Sequence, residues 1–503
     1  MSRLALLSVS ILLFCVAGLL LSSNGCGGNS TTTITVPPPA SKIQHVVIIF
    51  QENRTPDNLF QGLCIPPYGS ASACSTTPTA SQYNIASSGV DSTGATITLN
   101  PIDLGTVGSN GNPDNYDLSH AHSAFVDMCN LNASGECQMN GADLIPYSCT
   151  AGAVGCPPPP DPQFMYVYPN DVAPYLTMAQ TYTFADQMFQ TNEGPSMPAH
   201  QFIISGTSAP SAGSNLFEAE NPAGVKNANN KTGCTAPAAE YVEQIDPAGV
   251  ESPIYPCFEH QTLTDLLNAA NISWRYYAPS PGSIWTAPNA IQHMCGPNAT
   301  PPNATACTGS DWTNNVVLAT AQNSAPVLTD IINGNLATVS WVIPNGLESD
   351  HAVSNDGSGP SYVASIVNAI GNSSYWSNTA IILTWDDWGG WYDHVAPQVL
   401  GGTNCAQWGC GYVYGFRVPM IVISPYAKPA YISHVTHDFG SILKFIETNF
   451  NLPSLGYADT SADDLSDCFN FAQTPITFKT VPAVLKGDYF MNDKRPPTDP
   501  DDD

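Results

Sequence analysis

Apolar residues along the chain come in short β-branched bursts and in stretches with helical spacing. The strongest burst covers residues 43–50, in KIQHVVIIF, and stops abruptly on Glu52, Asn53 and Arg54. A short continuous run of this kind reads as a strand buried on both faces of a parallel sheet. Helical spacing marks DVAPYLTMAQTY (171–182) and GPSMPAHQFIISG (194–206), where proline near the start suits a helix opening at Pro195 or Ser196. From residue 260 the pattern alternates. HQTLTDLLNAA (260–270) predicts a helix and ISWRYYA (272–278) a strand. APVLTDIINGN (325–335) predicts a helix and ATVSWVIP (337–344) a strand. PSYVASIVNAIGNS (360–373) predicts a helix and TAIILTWDD (379–387) a strand. VPMIVISPYA (418–427) closes the series as a strand before the helix HDFGSILKFIETNFNL (437–452). Strands alternating with helices predict an α/β fold, a mainly parallel central sheet with helices on both faces. Residues 62–160 and 207–256, rich in Cys, Pro and Gly, read as loop-rich insertions, and no internal repeat is present.

The ends of the chain differ from this body. MSRLALLSVSILLFCVAGLLLSSNGC (1–26) sets one Arg before an apolar stretch from Leu4 to Leu21, the pattern of an export signal. It is long enough for an uncleaved anchor, and Cys26 offers a third option, a lipidated lipoprotein terminus. Residues 27–41 form a Gly/Ser/Thr/Pro tether. The main domain is expected over 42–470 and a C-terminal extension over 471–503, with a disordered acidic tail, NDKRPPTDPDDD. All three N-terminal options place the body outside the cytoplasm, as a secreted, periplasmic or surface-anchored protein. The 15 cysteines agree: setting aside Cys15 and Cys26 leaves 15 − 2 = 13, most of them close neighbours. Disulfides are expected for Cys64–Cys74, Cys129–Cys137, Cys149–Cys156, Cys234–Cys257, Cys295–Cys307 and Cys405–Cys410, with Cys468 left over.

Charge narrows the partners. The chain carries 13 basic and 41 acidic residues, a net charge of −28. Nucleic acid as a non-specific partner is excluded on that balance, because phosphate backbones are held by Lys and Arg. An anionic substrate would be repelled at long range, so a site for one needs a local cation.

Three predicted strand ends supply the chemistry. The first runs into Glu52-Asn53, the second leads to Asp350-His351, and the third ends on DDWGGWYDH with Asp386, Asp387, Asp393 and His394. Open α/β sheets bind ligands at the carboxyl ends of their strands. Adjacent carboxylates such as Asp386-Asp387 repel each other unless a cation sits between them, and a divalent metal is the expected cation. Oxygen donors favour Ca²⁺, Mg²⁺ or Mn²⁺; histidine participation would admit Zn²⁺ or Fe. His120 in YDLSHAH is a further site histidine, with His122 its ambiguous neighbour. The competing readings are a turn for Asp386-Asp387 and a helix N-cap for Ser196.

ENRTPD, DLSHAH, GPSMPAH, SDH and TWDDWGGWYDHVAP followed by RVPMIVISPYA occur in fixed order. This set resembles the bacterial phosphoesterase family that includes non-haemolytic phospholipases C and related acid phosphatases, on the alkaline phosphatase superfamily fold. The resemblance runs from Lys42 to Leu452. It implies that Ser196 is the nucleophile, that Glu52, Asn53, Asp386 and Asp387 bind one divalent metal beside that hydroxyl, and that His120 and His351 line the phosphate site. It adds His394 as a further substrate-site residue of less defined role. Thr55 is the rival nucleophile, and Arg54 is expected either at phosphate or paired with Asp57. His200 stands where the family often has Asn or His.

A metal-dependent hydrolase of phosphate esters, working through a phosphoserine on Ser196, is the function this implies, with a small phosphomonoester or a phospholipid head group as substrate. The C-terminal β-rich modules of full-length phospholipases C are not in this sequence, which tilts the expectation toward the acid phosphatase branch. A sulfatase on the same scaffold would need CxPxR or SxPxR, and SMPAH lacks the Arg. The remaining alternative is a surface lipoprotein that keeps the fold for binding.

Overall fold

The computed structural model describes residues 41–105, 111–222, 232–397 and 414–498. Its centre is an eight-stranded sheet. In chain order the strands are β1 (His45–Gln51), β2 (Thr183–Ala185), β3 (Trp274–Ala278), β4 (Val316–Leu318), β5 (Val339–Val342), β6 (Thr379–Trp385), β7 (Met420–Ile423) and β8 (Tyr431–Ser433). Across the sheet the order is β4-β3-β5-β1-β6-β7-β2-β8. Every neighbouring pair is parallel except those of β7, which runs against both β6 and β2. The expected α/β architecture is therefore present. The pattern along the chain did not mark β2, β4 and β8, each only three residues long.

The central strands are uninterrupted apolar runs because both of their faces are covered. β1 pairs with β6 from His45↔Thr379 to Gln51↔Trp385, so Phe50 and Trp385 point to opposite faces. On the Phe50 side lie α2 (Ser196–Ser205) and α6 (Phe439–Phe450): the Phe50 ring meets His200 and Phe439 edge-on. Trp341 of β5, level with Ile48, donates its indole N–H to Ile203 O of α2. On the other face Trp385 packs edge-on against Tyr175 of α1 (Ala173–Thr181). α5 (Gly359–Gly371) packs on α1, and α4 (Pro326–Ile332) and α7 (Gly487–Asn492) pack on α5. α3 (Leu263–Ala269) lies against α2. Local chemistry sets the helix ends. Asp438 and Ser441 form a capping box at the start of α6, and Gly206 ends α2 in the left-handed conformation.

Five of the expected disulfides are formed: Cys64–Cys74, Cys129–Cys137, Cys149–Cys156, Cys234–Cys257 and Cys295–Cys307. Cross-links of this kind are usual in chains that fold in oxidising compartments. Cys468 is free and buried. The Cys405–Cys410 pair, the apolar stretch Leu4–Leu21 and Cys26 lie outside the described residues. Among the described residues no helix is long and apolar enough to cross a membrane. Of the segment read as a disordered tail, residues 492–498 are described, and they contact the body. Arg495 pairs with Asp356 and Asp493, and Thr498 O accepts from the Gly346 N–H.

Glu218 is an isolated acid inside this frame. It is buried, neither carboxyl oxygen has a hydrogen-bond partner among the described residues, and burial raises its pKa well above the usual carboxylate range. A folded-state pKa above the unfolded value means that the contribution to stability is complete below the unfolded pKa. It is lost as pH rises through the folded pKa. Glu218→Gln is therefore expected to raise the Tm at pH 8 and to gain much less at pH 5. Thermal melts at the two pH values check this, and equal gains at both would refute it.

Candidate active site

The ladder between β1 and β6 does not end where the strands do. The Asp386 N–H donates to Gln51 O, the Arg54 N–H to Asp387 O, and the Asn53 N–H to Asp386 Oδ1 at 2.8 Å. Glu52, Asn53, Asp386 and Asp387 are thereby brought side by side, all buried. Two glycines permit this approach. Gly389 and Gly390 both have positive φ. A Cβ on Gly389 would stand 2.5 Å from Asn53 O, and one on Gly390 would stand 2.4 Å from Leu118 Cβ.

Ser196 arrives from the opposite side, in the first turn of α2, and its Oγ donates to Asp387 Oδ2 at 3.2 Å. One helical turn later, on the same face, stands His200. Its Nε2 is 3.2 Å from Glu52 Oε1 and 4.0 Å from Asp386 Oδ2. Its Nδ1 faces the Tyr276 hydroxyl, which donates onward to Trp285 O. Sequence reasoning gave His200 no role. The Ser196-x-x-x-His200 spacing on a predicted helix was the signal that would have found it.

The site holds more acid than it can ionise. Burial, reinforced by the charges of Asp386, Asp387 and Asp350, raises Glu52 well above the carboxylate range. Burial and the Asp386 charge raise Asp387 likewise. Burial also works to raise Asp386, but Glu52, His200, Ser196 and the Asn53 N–H outweigh it and hold Asp386 below its ordinary value. Burial lowers His200 to about 4, against the pull of Asp386, so the imidazole is neutral. Its Nε2 lone pair then faces a Glu52 oxygen, a contact that needs a proton or a cation between the two atoms.

These residues fit a divalent cation. Ligand atoms of Glu52, His200 and Asp386 lie within 4.8 Å of one another. The Asn53 amide donates from Nδ2 to His120 Nε2 at 3.1 Å, which leaves Asn53 Oδ1 buried without a partner, as is Asp386 Oδ2. Oxygens left bare in this way normally carry a large penalty. An imidazole nitrogen among the donors keeps Zn²⁺ and Fe beside Mn²⁺, Mg²⁺ and Ca²⁺ as suitable ions.

The histidines divide. The ring N–H at Nδ1 of His120 donates to Leu118 O at 3.0 Å, and the ring centroids of His120 and His351 are 5.8 Å apart. Both therefore border the site. His394 does not join them: its Nδ1 is 2.7 Å from Asp57 Oδ2 and its Nε2 is 2.9 Å from Asn84 Oδ1. The His394 ring is taken up by Asp57, the last residue of ENRTPD, and by Asn84 rather than by the buried acids. Thr55 caps the short helix Pro56–Leu59 by accepting from the Asn58 N–H, and it donates to Tyr392 O. Arg54 is wholly buried, paired with Asp114 and donating to Asp350 O, so neither Asp57 nor phosphate is its partner. Asp350 accepts from the Tyr175 hydroxyl and the Trp385 indole, behind the site. His122 bridges Glu193 and Glu251. Burial works against its charge, yet Glu193 first and then Glu251 and Glu220 raise it to about 9.

The profile of the Phosphoesterase family matches residues 43–453, and the chain belongs to that family. Phospholipase C B of Mycobacterium tuberculosis is 33% identical over 168 residues, which are 29% of this chain and 32% of that protein. Non-hemolytic phospholipase C of Pseudomonas aeruginosa is 24% identical over 335 residues, 61% of this chain and 43% of that protein. The chain thus spans less than half the length of these two curated relatives. A solved structure of a protein in the Alkaline Phosphatase Superfamily from Vibrio parahaemolyticus is 12% identical, with a TM-score of 0.31 over 58% of this chain and 64% of that one. The α/β assignment rests on the sheet described above rather than on that superposition.

Raised pKa values at Glu52 and Asp387 mean that a cation must displace protons to bind. Adding Mn²⁺ to chelator-stripped protein is expected to raise the Tm, and to raise it more at pH 8 than at pH 5. Differential scanning fluorimetry at both pH values checks this. A shift that is absent, or larger at the lower pH, would contradict the site.

Proposed function

We propose that this protein hydrolyses phosphate esters, with Ser196 as the nucleophile. The observation that carries the reading is the Ser196 hydroxyl, held 3.2 Å from Asp387 Oδ2 within a buried ring of Glu52, Asn53, Asp386 and His200. A divalent cation held there by Glu52, Asn53, Asp386 and Asp387, with His200 added to the set, would supply charge for the phosphoryl oxygens and acidity for the hydroxyl. Ser196 also stands at the N-terminal end of the ten-residue α2, whose unpaired N–H groups favour an anion.

The course follows from this placement. Once Asp387 has lost its own proton, the Ser196 proton passes to its Oδ2 as Oγ attacks phosphorus. The bond to the leaving oxygen breaks, and that oxygen takes a proton. His351, at the border of the site beside His120, is the group for that transfer. Water then attacks the phosphoserine, releases phosphate or a phosphorylated head group, and returns the proton to Ser196. His120 also acts on the ligand set, since by accepting from Asn53 Nδ2 it turns Asn53 Oδ1 inward.

A phosphodiester, with a phospholipid head group as its natural form, is the substrate we favour over a simple monoester. The relatives named above are phospholipases C, and that is the support for the choice. The catalytic domain in this reading is 42–470. The chain acts outside the cytoplasm, anchored or released according to the fate of residues 1–26.

Hydrolysis of p-nitrophenyl phosphate and p-nitrophenylphosphorylcholine by the wild type, by chelated protein, by Ser196→Ala and by Thr55→Ala tests the proposal. Ser196→Ala is expected to lose about three orders of magnitude or more in kcat, and chelation a comparable amount until metal is restored. Thr55→Ala should keep the serine chemistry and lose stability, by about 1 kcal/mol for the missing cap. Full activity in Ser196→Ala would end this reading. Preference for the monoester would return the protein to the phosphatase branch.

A further inference from the structure

Asp393 and His394 close the DDWGGWYDH motif, and Asp57 closes ENRTPD, yet none of the three has a part in the chemistry above. Their surroundings are unusual. Asp57, Asp393 and Arg417 are fully buried, and the His394 side chain is only 12% exposed. Arg417 grips Asp393 with two parallel hydrogen bonds, Nε to Oδ1 and Nη2 to Oδ2, both 2.9 Å. The same Nη2 lies 3.6 Å from Asp57 Oδ1. The His394 backbone N–H and ring Nδ1 both converge on Asp57 Oδ2, at 2.9 and 2.7 Å. Arg417 Nη1 reaches across to Asn84 O and to Asp186 O, just beyond β2.

Asp57, Asp393 and His394 also have ligand atoms close enough to hold a metal ion. The guanidinium already supplies the positive charge there, in the bidentate geometry that a carboxylate prefers. Burial works against the charge of Arg417, but Asp393 and then Asp57 raise its pKa, so it is a permanent cation. The cluster is thus an ion-paired joint.

Its position gives the joint a purpose. The motif segments 52–57 and 386–394 leave the sheet at neighbouring points and run alongside each other. Each is fixed at its start by the continued β1–β6 ladder. Midway, the Thr55 hydroxyl donates to Tyr392 O. At the far end Asp57 takes up His394 and faces Arg417, which binds Asp393. Glu52, Asn53, Asp386 and Asp387 therefore lie on two strips of backbone pinned to each other at both ends. Between the pins runs the Gly389-Gly390 turn, which on its own has the widest backbone freedom in the site.

We infer that Arg417, with Asp57, Asp393 and His394, is a clamp that sets the spacing between the two pairs of metal ligands, so that its loss weakens metal binding beyond any general loss of stability. Arg417 is in this sense a positioning residue and touches neither metal nor substrate. The inference rests on the metal-site reading above.

Calorimetric titration of chelator-stripped protein with Mn²⁺, together with the Tm of the same stripped samples, tests the clamp. Arg417→Lys keeps the charge and removes the two-pronged grip. It is expected to bind Mn²⁺ about ten- to a hundredfold more weakly. His394→Gln leaves the Arg417–Asp393 pair in place, and it keeps the test open should Arg417→Lys not fold. Its expected loss is about tenfold. Leu443→Ala, a buried truncation in α6, serves as the control: it should lower the Tm while keeping Mn²⁺ affinity within about twofold of the wild type. Wild-type affinity in the clamp variants that fold would overturn the clamp alone, as would an equal loss in Leu443→Ala. Wild-type protein that takes up no Mn²⁺ would overturn the metal reading, and the clamp with it.

Discussion

Burying Glu52, Asp386 and Asp387 together at the ends of two neighbouring strands is the constraint on which the rest of this structure depends. Like charges removed from water repel each other strongly, and the molecule carries only 13 basic residues against 41 acidic ones. Arg54 and Arg417 are both held in full burial behind the site. Neither is placed against Glu52, Asp386 or Asp387. Arg54 pairs with Asp114 and bonds Asp350 O, and Arg417 pairs with Asp393. The protein neutralises the acids that hold the motifs, and among the described residues no arginine or lysine pairs with the central acids. An enclosed concentration of negative charge with bare oxygens at its centre is what a divalent cation requires. A cation bound there would reverse locally the long-range repulsion that this net charge exerts on an anion.

The fold was legible in the sequence because its main constraint is periodic. A strand covered on both faces must be apolar at every position, and Val46 to Phe50 and Ala380 to Leu383 are. The short strands β2, β4 and β8 escaped, since three residues carry no period. Cysteine spacing within loops led to five disulfides because sequence neighbours are also spatial neighbours there. The tail is the opposite case. Proline and charge composition read as disorder, while one long-range ion pair, Arg495 with Asp356, ties it to the body.

At the site, legibility stopped where tertiary contact begins. Glu52, Asn53, Asp386 and Asp387 were visible because each pair directly follows an apolar run. His200 was hidden in plain view on α2. Its partner Glu52 lies 148 residues away, and a histidine on an apolar helix face reads as core. His394 stands apart from Asp386 and Asp387 for the related reason that a motif lists neighbours in sequence while the chain turns between them. After Asp387 the Gly389-Gly390 turn redirects the backbone, so that Asp393 and His394 meet Asp57 and Arg417. Arg54 was misassigned by the same shortcut: Asp57, close by in sequence, looked like its partner, but Asp57 is held by His394 and Arg417 while Arg54 turns toward Asp114.

Asn53 shows why such a site tolerates few substitutes. Its φ of 62° lies in the left-handed region, which Asn enters at lower cost than most other side chains. That conformation aims its backbone N–H at Asp386 Oδ1 while its side chain reaches His120. The amide then does two things at once. Nδ2 donates to His120 Nε2, whose acceptor character is fixed because the opposite ring nitrogen donates to Leu118 O. Oδ1 is left facing inward as an oxygen donor with no competing partner. Aspartate would accept the left-handed backbone but has no hydrogen to offer His120, and it would add a further carboxylate to a site already crowded with them. Glycine would take the backbone and supply neither contact. The opening polar residues of ENRTPD are thus selected by backbone strain, hydrogen-bond polarity and local charge together. A β-branched strand ends on them because its carboxyl end is one wall of the site.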